Sequence, residues 1–383
     1  MDYRELVAYA KRQIVEIHPD ALAGAGDEYV VIDVRELEER RQGAIPGSLF
    51  LSKGVLERDI ATTVTEPSTP VVVYCAAGLR SALAAVSLEA MGYTNVASLR
   101  GGFDQWKADG HPWDLPHELS VDQRIRYDRH LKLPEIGQAG QQALLDASVL
   151  VIGAGGLGSP ALLYLAAAGV GTIGIVDGDR VDASNLQRQV IHDGSRLGSL
   201  KVESAGARIA ALNSDTAIEL HPVRLDSSNA LDIMSGYDVI VDGADNFPTR
   251  YLVNDASLHL GIPVVHGSIF RFEGQATVFA PYSGPCYRCL FPSPPPPELA
   301  PSCAEAGVLG ALPGIIGSVQ AIEAIKLVLD LGTPLTGTLA IYDALEQRWA
   351  NLSFARDPAC PACGDPERRP LLIDYDETCA VPV

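Results

Sequence analysis

A glycine-rich loop between an apolar run and a helix constrains this chain most. The stretch VLVIGAGGLGSPA (149–161) passes from continuous apolar residues, typical of a buried parallel strand, into closely spaced glycines and then a helix. Gly153, Gly155 and Gly158 allow a sharp turn and close approach of a ligand to the backbone. The amino end of the following helix favours a phosphate group. The pattern predicts a doubly wound α/β domain that binds a nucleotide at this loop.

The residues after this loop decide between two kinds of nucleotide chemistry. Asp177 follows the next apolar run, about 20 residues on, where a carboxylate can contact ribose hydroxyls. This much favours an NAD-dependent oxidoreductase. The loops beyond carry further cations and carboxylates: NLQRQ (185–189), Lys201, Asp242 and Asp245. Nucleotidyl transfer needs such groups, because cations and Mg²⁺ stabilise the charge that spreads over the α-phosphate and the leaving pyrophosphate. We therefore predict a nucleotidyltransferase and keep the oxidoreductase as an alternative.

A cysteine lies at the end of a second apolar strand, in VVVYCAAGLRS (71–81). The N–H groups and dipole of the following helix favour a thiolate, and Arg80 adds positive charge. Gly78 permits the turn, and Ser81 is expected to cap the helix. Four residues separate Cys75 from Arg80, one fewer than in phosphatase loops, and this smaller ring suits a sulfur-centred group. The pattern predicts a persulfide carrier rather than an inert buried thiol.

Four of the seven cysteines form two C-x-x-C pairs, Cys286 with Cys289 and Cys360 with Cys363. Two C-x-x-C pairs in so long a chain favour a metal site over a disulfide framework. Because free thiols persist in a reducing environment, we expect a cytoplasmic location. Four thiolates suit tetrahedral Zn²⁺ and leave no coordination position for a substrate, so the predicted zinc site is structural. Cys379, near the end of the chain, is assigned no role.

The overall organisation is α/β with two domains. Residues 1–115 alternate strands and helices, 116–121 form a linker, and 122–383 form a larger block whose sheet becomes mixed after about residue 262. The formal net charge of -19 repels phosphate backbones, so nucleic acid is not an expected partner. The sequence has neither a secretory start nor a run of about 18 apolar residues, so no membrane span is expected.

Residues 12–113 resemble a single-domain rhodanese, a thiosulfate sulfurtransferase. The matching segments are IDVRELEERRQGAIPGSLFL, YCAAGLRS and LRGGFDQWKADGHP. The resemblance implies that Cys75 carries the transferred sulfur, with Arg80 in the same catalytic loop. Asp33 and Arg35 are expected to form an internal salt bridge and turn rather than to act in catalysis.

Two positions depart from the rhodanese pattern. Ala44 stands where the family usually has a histidine, and Ala76 where many members have a second arginine. The missing arginine leaves the loop less cationic. We therefore expect a protein persulfide, such as that of a cysteine desulfurase, to be a better donor than free thiosulfate.

Residues 120–366 resemble the MoeB/ThiF adenylyltransferases of the ubiquitin-activating-enzyme superfamily, which activate sulfur-carrier proteins. The matching stretches are long and keep their order: RYDRHLKLPEIGQAGQQAL, VLVIGAGGLGSPALLYLAAAGVGTIGIVDGDRVDASNLQRQVIH, VDGADNFPTRYLVN, PCYRCLF and CAEAGVLGALPGIIGSVQAIEAIK. The resemblance implies a Rossmann-like adenylyltransferase domain with zinc at the four paired cysteines. The residues it assigns to ATP are Gly156, Asp177, Asn185, Arg188 and Lys201.

The same resemblance assigns three further roles. Asp245 would bind Mg²⁺. Arg129 would enter the ATP site of the neighbouring subunit, which implies a homodimer. Cys303 lies on a crossover loop at about 290–305 and would link to the carrier or receive sulfur.

The two halves together predict one function. ATP-dependent adenylation would activate the C-terminal glycine of a small ubiquitin-like sulfur carrier that ends in Gly-Gly. A persulfide on Cys75 would then attack the acyl-adenylate, and Cys303 would release the thiocarboxylate reductively. Molybdopterin cofactor biosynthesis is the favoured pathway, and thiamine, tRNA thiolation, cysteine and siderophore pathways stay open. The alternative is that the N-terminal block only docks the carrier.

Overall fold

Two separate sheets organise the chain. The structure, a computed structural model, describes residues 2–40, 42–114, 119–293 and 307–374. The chain divides into two units, Met1–Glu118 and Leu119–Val383. The boundary falls within the stretch 116–121, and each unit has a sheet of its own.

The N-terminal unit is built on five parallel strands in the order β1-β5-β4-β2-β3. The strands are β1 (Val15–Ile17), β2 (Val30–Asp33), β3 (Leu49–Phe50), β4 (Val71–Tyr74) and β5 (Val96–Leu99). The helices are α1 (Tyr3–Lys11), α2 (Pro19–Ala23), α3 (Leu37–Arg40), α4 (Leu56–Thr63), α5 (Arg80–Ala90) and α6 (Gly102–Ala108). Strand β4 lies at the centre, and all four of its residues are buried. Its unbroken apolar sequence reflects this burial of both faces.

Asp33, at the end of β2, is the polar centre of this unit. Its carboxylate accepts hydrogen bonds from the Arg35 guanidinium at 2.7 Å and the Tyr74 hydroxyl at 2.9 Å, and the Arg40 guanidinium lies 3.3 Å away. The Arg35 N–H also donates to Asp33, at 3.0 Å. Burial and the charge of Asp33 together raise the pKa of Tyr74 to about 12. The expected internal salt bridge and turn of Asp33 and Arg35 are confirmed.

The C-terminal unit contains eight strands in the order β13-β12-β11-β10-β9-β6-β7-β8. The strands are β6 (Ser148–Ile152), β7 (Thr172–Val176), β8 (Ala217–His221), β9 (Val239–Asp242), β10 (Val264–Phe270), β11 (Glu273–Phe279), β12 (Thr338–Asp343) and β13 (Arg348–Ser353). Strands β6 to β10 pair in parallel, and β10 to β13 pair antiparallel, so the sheet is mixed as predicted. The strand order reverses between β6 and β9, which is where ligands bind in doubly wound sheets.

The helices of this unit pack on the sheet. They are α7 (Val121–Arg126), α8 (Asp128–Leu131), α9 (Gly137–Asp146), α10 (Gly158–Ala168), α11 (Lys201–Leu212), α12 (Ala230–Met234), α13 (Phe247–Leu260), α14 (Tyr287–Leu290) and α15 (Leu312–Leu329). Helix α15 is long and apolar enough to cross a membrane by length and composition alone, but here it packs against α10, β10 and β11. Gln320 within it is buried and donates to the Asp242 carbonyl at 2.7 Å. These contacts make α15 a core helix.

Gly102, the first residue of α6, offers a direct test of how tightly the N-terminal unit is packed. Its φ is +62°, and a Cβ there would lie 2.2 Å from the Cys75 carbonyl oxygen. Gly110 has a φ of +78° and nothing within 4 Å of a built Cβ. We expect Gly110→Ala to lower the free energy of unfolding by about 1–2 kcal/mol, the cost of a left-handed residue.

Gly102→Ala should cost clearly more than Gly110→Ala, because the backbone at Cys75 must also shift. Hydrogen exchange of the β4 and α6 amides in the full chain measures both changes. Equal decreases in the free energy of unfolding for the two variants would contradict the close packing of Gly102 against Cys75.

Candidate functional site

The cysteine loop of the N-terminal unit is held by the first turn of α6. Cys75 follows β4 and is only 1% exposed. Its carbonyl accepts the Phe103 N–H at 2.8 Å, and the Ala76 carbonyl accepts the Asp104 N–H at 2.9 Å. The N–H groups that a helix start leaves unpaired therefore fix the loop backbone. Gly102 allows this approach because it has no side chain.

Ser81 does not cap helix α5, so that expectation is wrong. The cap position is Leu79, which makes no side-chain cap bond. Ser81 is buried, and its hydroxyl donates to the Cys75 Sγ at 3.5 Å. Its oxygen in turn accepts the hydroxyl of Ser98 at 2.8 Å. Sequence reasoning missed Ser98; its only signal is a serine inside the otherwise apolar strand VASL.

Arg80 is paired with a carboxylate from α3. Its guanidinium makes two bonds to the Glu39 carboxylate, at 2.7 and 2.5 Å. This pairing raises the pKa of Arg80 and lowers that of Glu39. Because Glu39 offsets the positive charge that the sequence placed beside Cys75, the cysteine loop is less cationic than its own residues suggest.

The nucleotide loop begins directly at the end of β6. Gly153 has a φ of +90°, and its N–H donates to the Val176 carbonyl at 2.8 Å. A Cβ on Gly158 would lie 1.8 Å from the Gly153 carbonyl oxygen, so only glycine fits there. The Ala154 N–H donates to the Asp177 carboxylate at 2.9 Å. Asp177 thus joins the loop to the end of β7.

Lys201 opens helix α11 and points its amine toward the same place. Its Nζ lies 2.8 Å from the Asp179 carboxylate and 3.9 Å from that of Asp177. The lysine side chain is buried, whereas that of Asp179 is 76% exposed. Asp179 therefore bridges to Lys201, and water can readily replace it there. Lys201 and Asp177 are neighbours in the structure.

Arg188 and Gly156 also meet at this loop. A Cβ built on Gly156 would lie 3.6 Å from the Arg188 Cγ. The guanidinium of Arg188 donates to the Ser184 carbonyl at 3.2 Å. Asn185 lies on the same turn, and its amide is 3.5 Å from the Ser184 hydroxyl. The segment that carries Arg188 and Asn185 thus runs beside the glycine loop at Gly156.

The end of β9 supplies two carboxylates with different surroundings. Asp242 is buried and lies 2.7 Å from His266 Nδ1, and it accepts the Ala244 N–H at 3.0 Å. Burial lowers the pKa of His266. Asp242 is therefore a structural group in this structure. Asp245, three residues on, is exposed. The Gly243 carbonyl between them lies 3.0 Å from where a Gly153 Cβ would be, so this loop contacts the glycine loop.

Arg129 makes a contact of a different kind. Arg129, on α8, has an 86% exposed side chain whose guanidinium is 3.3 Å from Asp128. Cys303 and most of the predicted crossover loop at 290–305 lie outside the described residues, as does Cys379.

The two C-x-x-C pairs come together in one cluster. All four Sγ atoms of Cys286, Cys289, Cys360 and Cys363 lie within 4.8 Å of one another. Three of the separations are 3.9, 3.7 and 3.4 Å. A tetrahedral zinc with Zn–S bonds of about 2.3 Å needs sulfurs about 3.8 Å apart. The five cysteines that the structure describes are all free of disulfides. The four sulfurs therefore fit a tetrahedral metal ion.

Comparison with known proteins agrees with this geometry. The ThiF family model matches residues 127–362, and the rhodanese-like domain model matches residues 19–109. The sulfur carrier protein adenylyltransferase of Thermus thermophilus is 52% identical over 261 residues, which are 67% of this chain and 96% of that protein. The probable adenylyltransferase/sulfurtransferase MoeZ of Mycobacterium tuberculosis is 53% identical over 267 residues, which are 69% of this chain and 67% of MoeZ.

A solved structure of Escherichia coli MccB with MccA-N7isoASN has a TM-score of 0.56 and 21% identity, covering 63% of this chain and 75% of that one. This likeness supports the fold alone. The ThiF match spans the glycine loop, Lys201 and three of the four paired cysteines. The chain therefore belongs to the ThiF family and carries a rhodanese-like domain, which makes it an adenylyltransferase and sulfurtransferase of the class predicted from its sequence.

Proposed function

We propose that the chain adenylates the C-terminal glycine of a small ubiquitin-like sulfur carrier and then transfers sulfur to it from Cys75. One observation carries the proposal: a nucleotide loop with Lys201 and an exposed Asp245 occurs in the same chain as a cysteine loop held by α6. The name of the Thermus relative, a sulfur carrier protein adenylyltransferase, supports the choice of substrate.

In the first step, a carboxylate oxygen of the carrier attacks the α-phosphorus of ATP. The bond to the pyrophosphate oxygen breaks, and pyrophosphate leaves. Arg188 and Lys201 offset the charge that develops on the phosphates, and Asp177 accepts hydrogen bonds from the ribose hydroxyls. For Lys201 this means exchanging its exposed partner Asp179 for a phosphate oxygen.

Asp245 is the residue we propose to hold Mg²⁺. The ion fits such a site because Mg²⁺ is usually bound by one or two protein carboxylates together with substrate phosphates. When bound, it supplies positive charge to the phosphate oxygens. Asp242 is unsuitable, since His266 and a backbone N–H already occupy its oxygens.

In the second step, the terminal sulfur of a Cys75 persulfide attacks the acyl carbon of the adenylate. The bond to the phosphate oxygen breaks, AMP leaves, and the carrier is joined to Cys75 as an acyl disulfide. A second thiol then attacks the Cys75 sulfur, which releases the carrier thiocarboxylate and leaves a disulfide on Cys75. Cys303 is our proposed second thiol.

The persulfide donor, cell compartment and pathway follow from the same chemistry. A protein persulfide suits the cysteine loop better than thiosulfate, because Glu39 neutralises Arg80 and Ala76 adds no charge. Free thiols and a persulfide suit a reducing compartment, and we place the protein in the cytoplasm. Molybdopterin cofactor biosynthesis is the pathway we favour among those that use sulfur carriers.

Separate variants of the two sites test the joined function. We expect Cys75→Ala to keep carrier-dependent exchange of pyrophosphate into ATP and to lose thiocarboxylate formation. Asp245→Ala should lose both, by roughly 10²-fold or more in rate, because charge stabilisation at the phosphates is lost. Radiolabelled pyrophosphate and mass spectrometry of the carrier measure the two steps. Undiminished thiocarboxylate from the Cys75 variant would favour the docking alternative instead.

Mixed dimers test the proposed role of Arg129. If the partner subunit's Arg129 completes each ATP site, Arg129→Ala and Lys201→Ala homodimers should both be inactive. Co-expression of the two variants should restore about a quarter of the wild-type sites, because one site of each heterodimer is intact. Lys132→Ala, an exposed cation on the same surface, is the control and should stay active. A mixture no more active than its parents would exclude a shared site.

The paired cysteines are proposed to hold one structural Zn²⁺, which four ligands would leave closed to substrate. We expect Cys363→Ala to lose the metal and much of the stability of the C-terminal unit, since structural zinc contributes on the order of 10 kcal/mol. Cys75→Ala is the matched control and should retain one zinc per chain. Metal analysis and thermal unfolding measure both. Metal loss with an unchanged unfolding curve would refute the structural role.

A further inference from the structure

Two buried serines connect Cys75 to the neighbouring strand. Ser98 lies on β5, opposite Val73 of β4, so the sheet register places it beside the strand that leads into Cys75. Ser81 lies in the first turn of α5. Both serines are fully buried, and their hydroxyls form a chain from Ser98 through Ser81 to the Cys75 sulfur. The chain joins three elements: β5, α5 and the cysteine loop.

Ser81 donates to the Cys75 sulfur, and the direction of the Ser98–Ser81 hydrogen bond then follows from the number of protons. A serine hydroxyl has one proton to donate and lone pairs with which to accept. Since the Ser81 hydroxyl donates its one proton to the Cys75 sulfur, its oxygen can only accept a hydrogen bond from Ser98, and Ser98 must be the donor. The Ser98 hydroxyl therefore determines which way the Ser81 proton points.

The surroundings of Cys75 make such a donor important. The sulfur is almost enclosed by protein, and a buried anion needs donors close by. Among the charged groups on the packed elements, Arg80 is paired with Glu39 and Asp33 with Arg35 and Arg40, whereas Asp104 and Lys107 of α6 are exposed. The Ser81 hydroxyl is a neutral donor directed at the sulfur.

We propose that Ser98 is a positioning residue of the sulfur-transfer site, whose hydroxyl holds the Ser81 proton on the Cys75 sulfur and thereby favours its reactive thiolate. Ser98 contacts neither the sulfur nor a substrate, and it acts through Ser81. The inference rests on the proposed role of Cys75 as the sulfur carrier.

The test compares two isosteres at position 98 in the full chain. Ser98→Thr keeps the hydroxyl. Ser98→Val has the same shape as the threonine variant but lacks the hydroxyl, and both β-branched residues suit a buried strand. Iodoacetamide alkylation of Cys75 is followed by peptide mass spectrometry from pH 5 to 10. We expect the valine variant to react about threefold to tenfold more slowly at pH 7, with the half-maximal rate shifted to higher pH, and the threonine variant to match the wild type.

A double-variant cycle establishes whether Ser98 acts through Ser81. Ser81→Ala should slow alkylation at least as much as Ser98→Val, and the combination should be no slower than Ser81→Ala alone. Ser87→Ala is the matched control, since Ser87 also lies on α5 but its hydroxyl donates to the Leu83 carbonyl and not to the Cys75 sulfur. It should react at the wild-type rate.

Two results would overturn the proposal: equal rates for the threonine and valine variants, or effects at 81 and 98 that multiply. Failure of the proposed function is a different result. It would appear as thiocarboxylate formation that survives Cys75→Ala, whereas alkylation reports the serine chain whether or not the sulfur is transferred.

Discussion

The approach of Gly158 to the carbonyl of Gly153, with no room for a side chain, is the contact on which the nucleotide site depends. It lets α10 begin after a loop of only five residues, 153–157, so the helix start faces the end of β6. The same turn brings the Ala154 N–H to Asp177 and places the loop against Gly243. Because β6, β7 and β9 are parallel neighbours, the groups that follow each strand then share one edge of the sheet.

The N-terminal unit uses the same contact between a glycine and a carbonyl for a different purpose. Gly102 lies against the Cys75 carbonyl, and the first N–H groups of α6 bond to the carbonyls of Cys75 and Ala76. In the nucleotide loop, the helix start is where we propose that a phosphate binds. In the cysteine loop α6 is used to hold the backbone, and the sulfur is left to side-chain donors such as Ser81.

Local patterns predicted most of this architecture, because strands, glycine turns and C-x-x-C pairs are encoded by neighbouring residues. Such patterns account for the glycine turn after β6, the change to a mixed sheet after about residue 262 and the Asp33–Arg35 bridge. The contacts that were missed join residues far apart in the chain. Glu39 meets Arg80 across 41 positions, and no spacing rule reveals that pair.

Ser81 shows a second limit of prediction. Serine near a helix start is most simply interpreted as a cap, because the hydroxyl can accept a backbone N–H. In the structure, the cap position is Leu79, two residues before Ser81, and Ser81 faces the core, where it bonds to a sulfur and to a second serine. Which face a first-turn residue presents depends on how the helix packs, and this is a property of the whole unit.

Charge pairing explains why an acidic protein can still bind an anionic substrate. The chain has a formal net charge of -19, and its own carboxylates pair with Lys201 in the nucleotide site and with Arg80 in the cysteine loop. At these two side chains, an incoming anion must therefore replace a carboxylate. At Lys201 the replaced group is Asp179, which is exposed and gains water when it is released. A polyphosphate that arrives with Mg²⁺ also brings positive charge of its own.

At Arg80 the same exchange is harder. Glu39 makes two charge-assisted bonds to the guanidinium, and its side chain is only 35% exposed, so its release gains less water. A small dianion has to break both bonds and brings no cation with it. A persulfide presented by another protein needs neither the broken bonds nor an added cation, because its sulfur can be transferred to Cys75 while Arg80 stays paired with Glu39. The different exposure of Asp179 and Glu39 thus supports our proposal that ATP binds at one site and that a protein-bound persulfide supplies sulfur at the other.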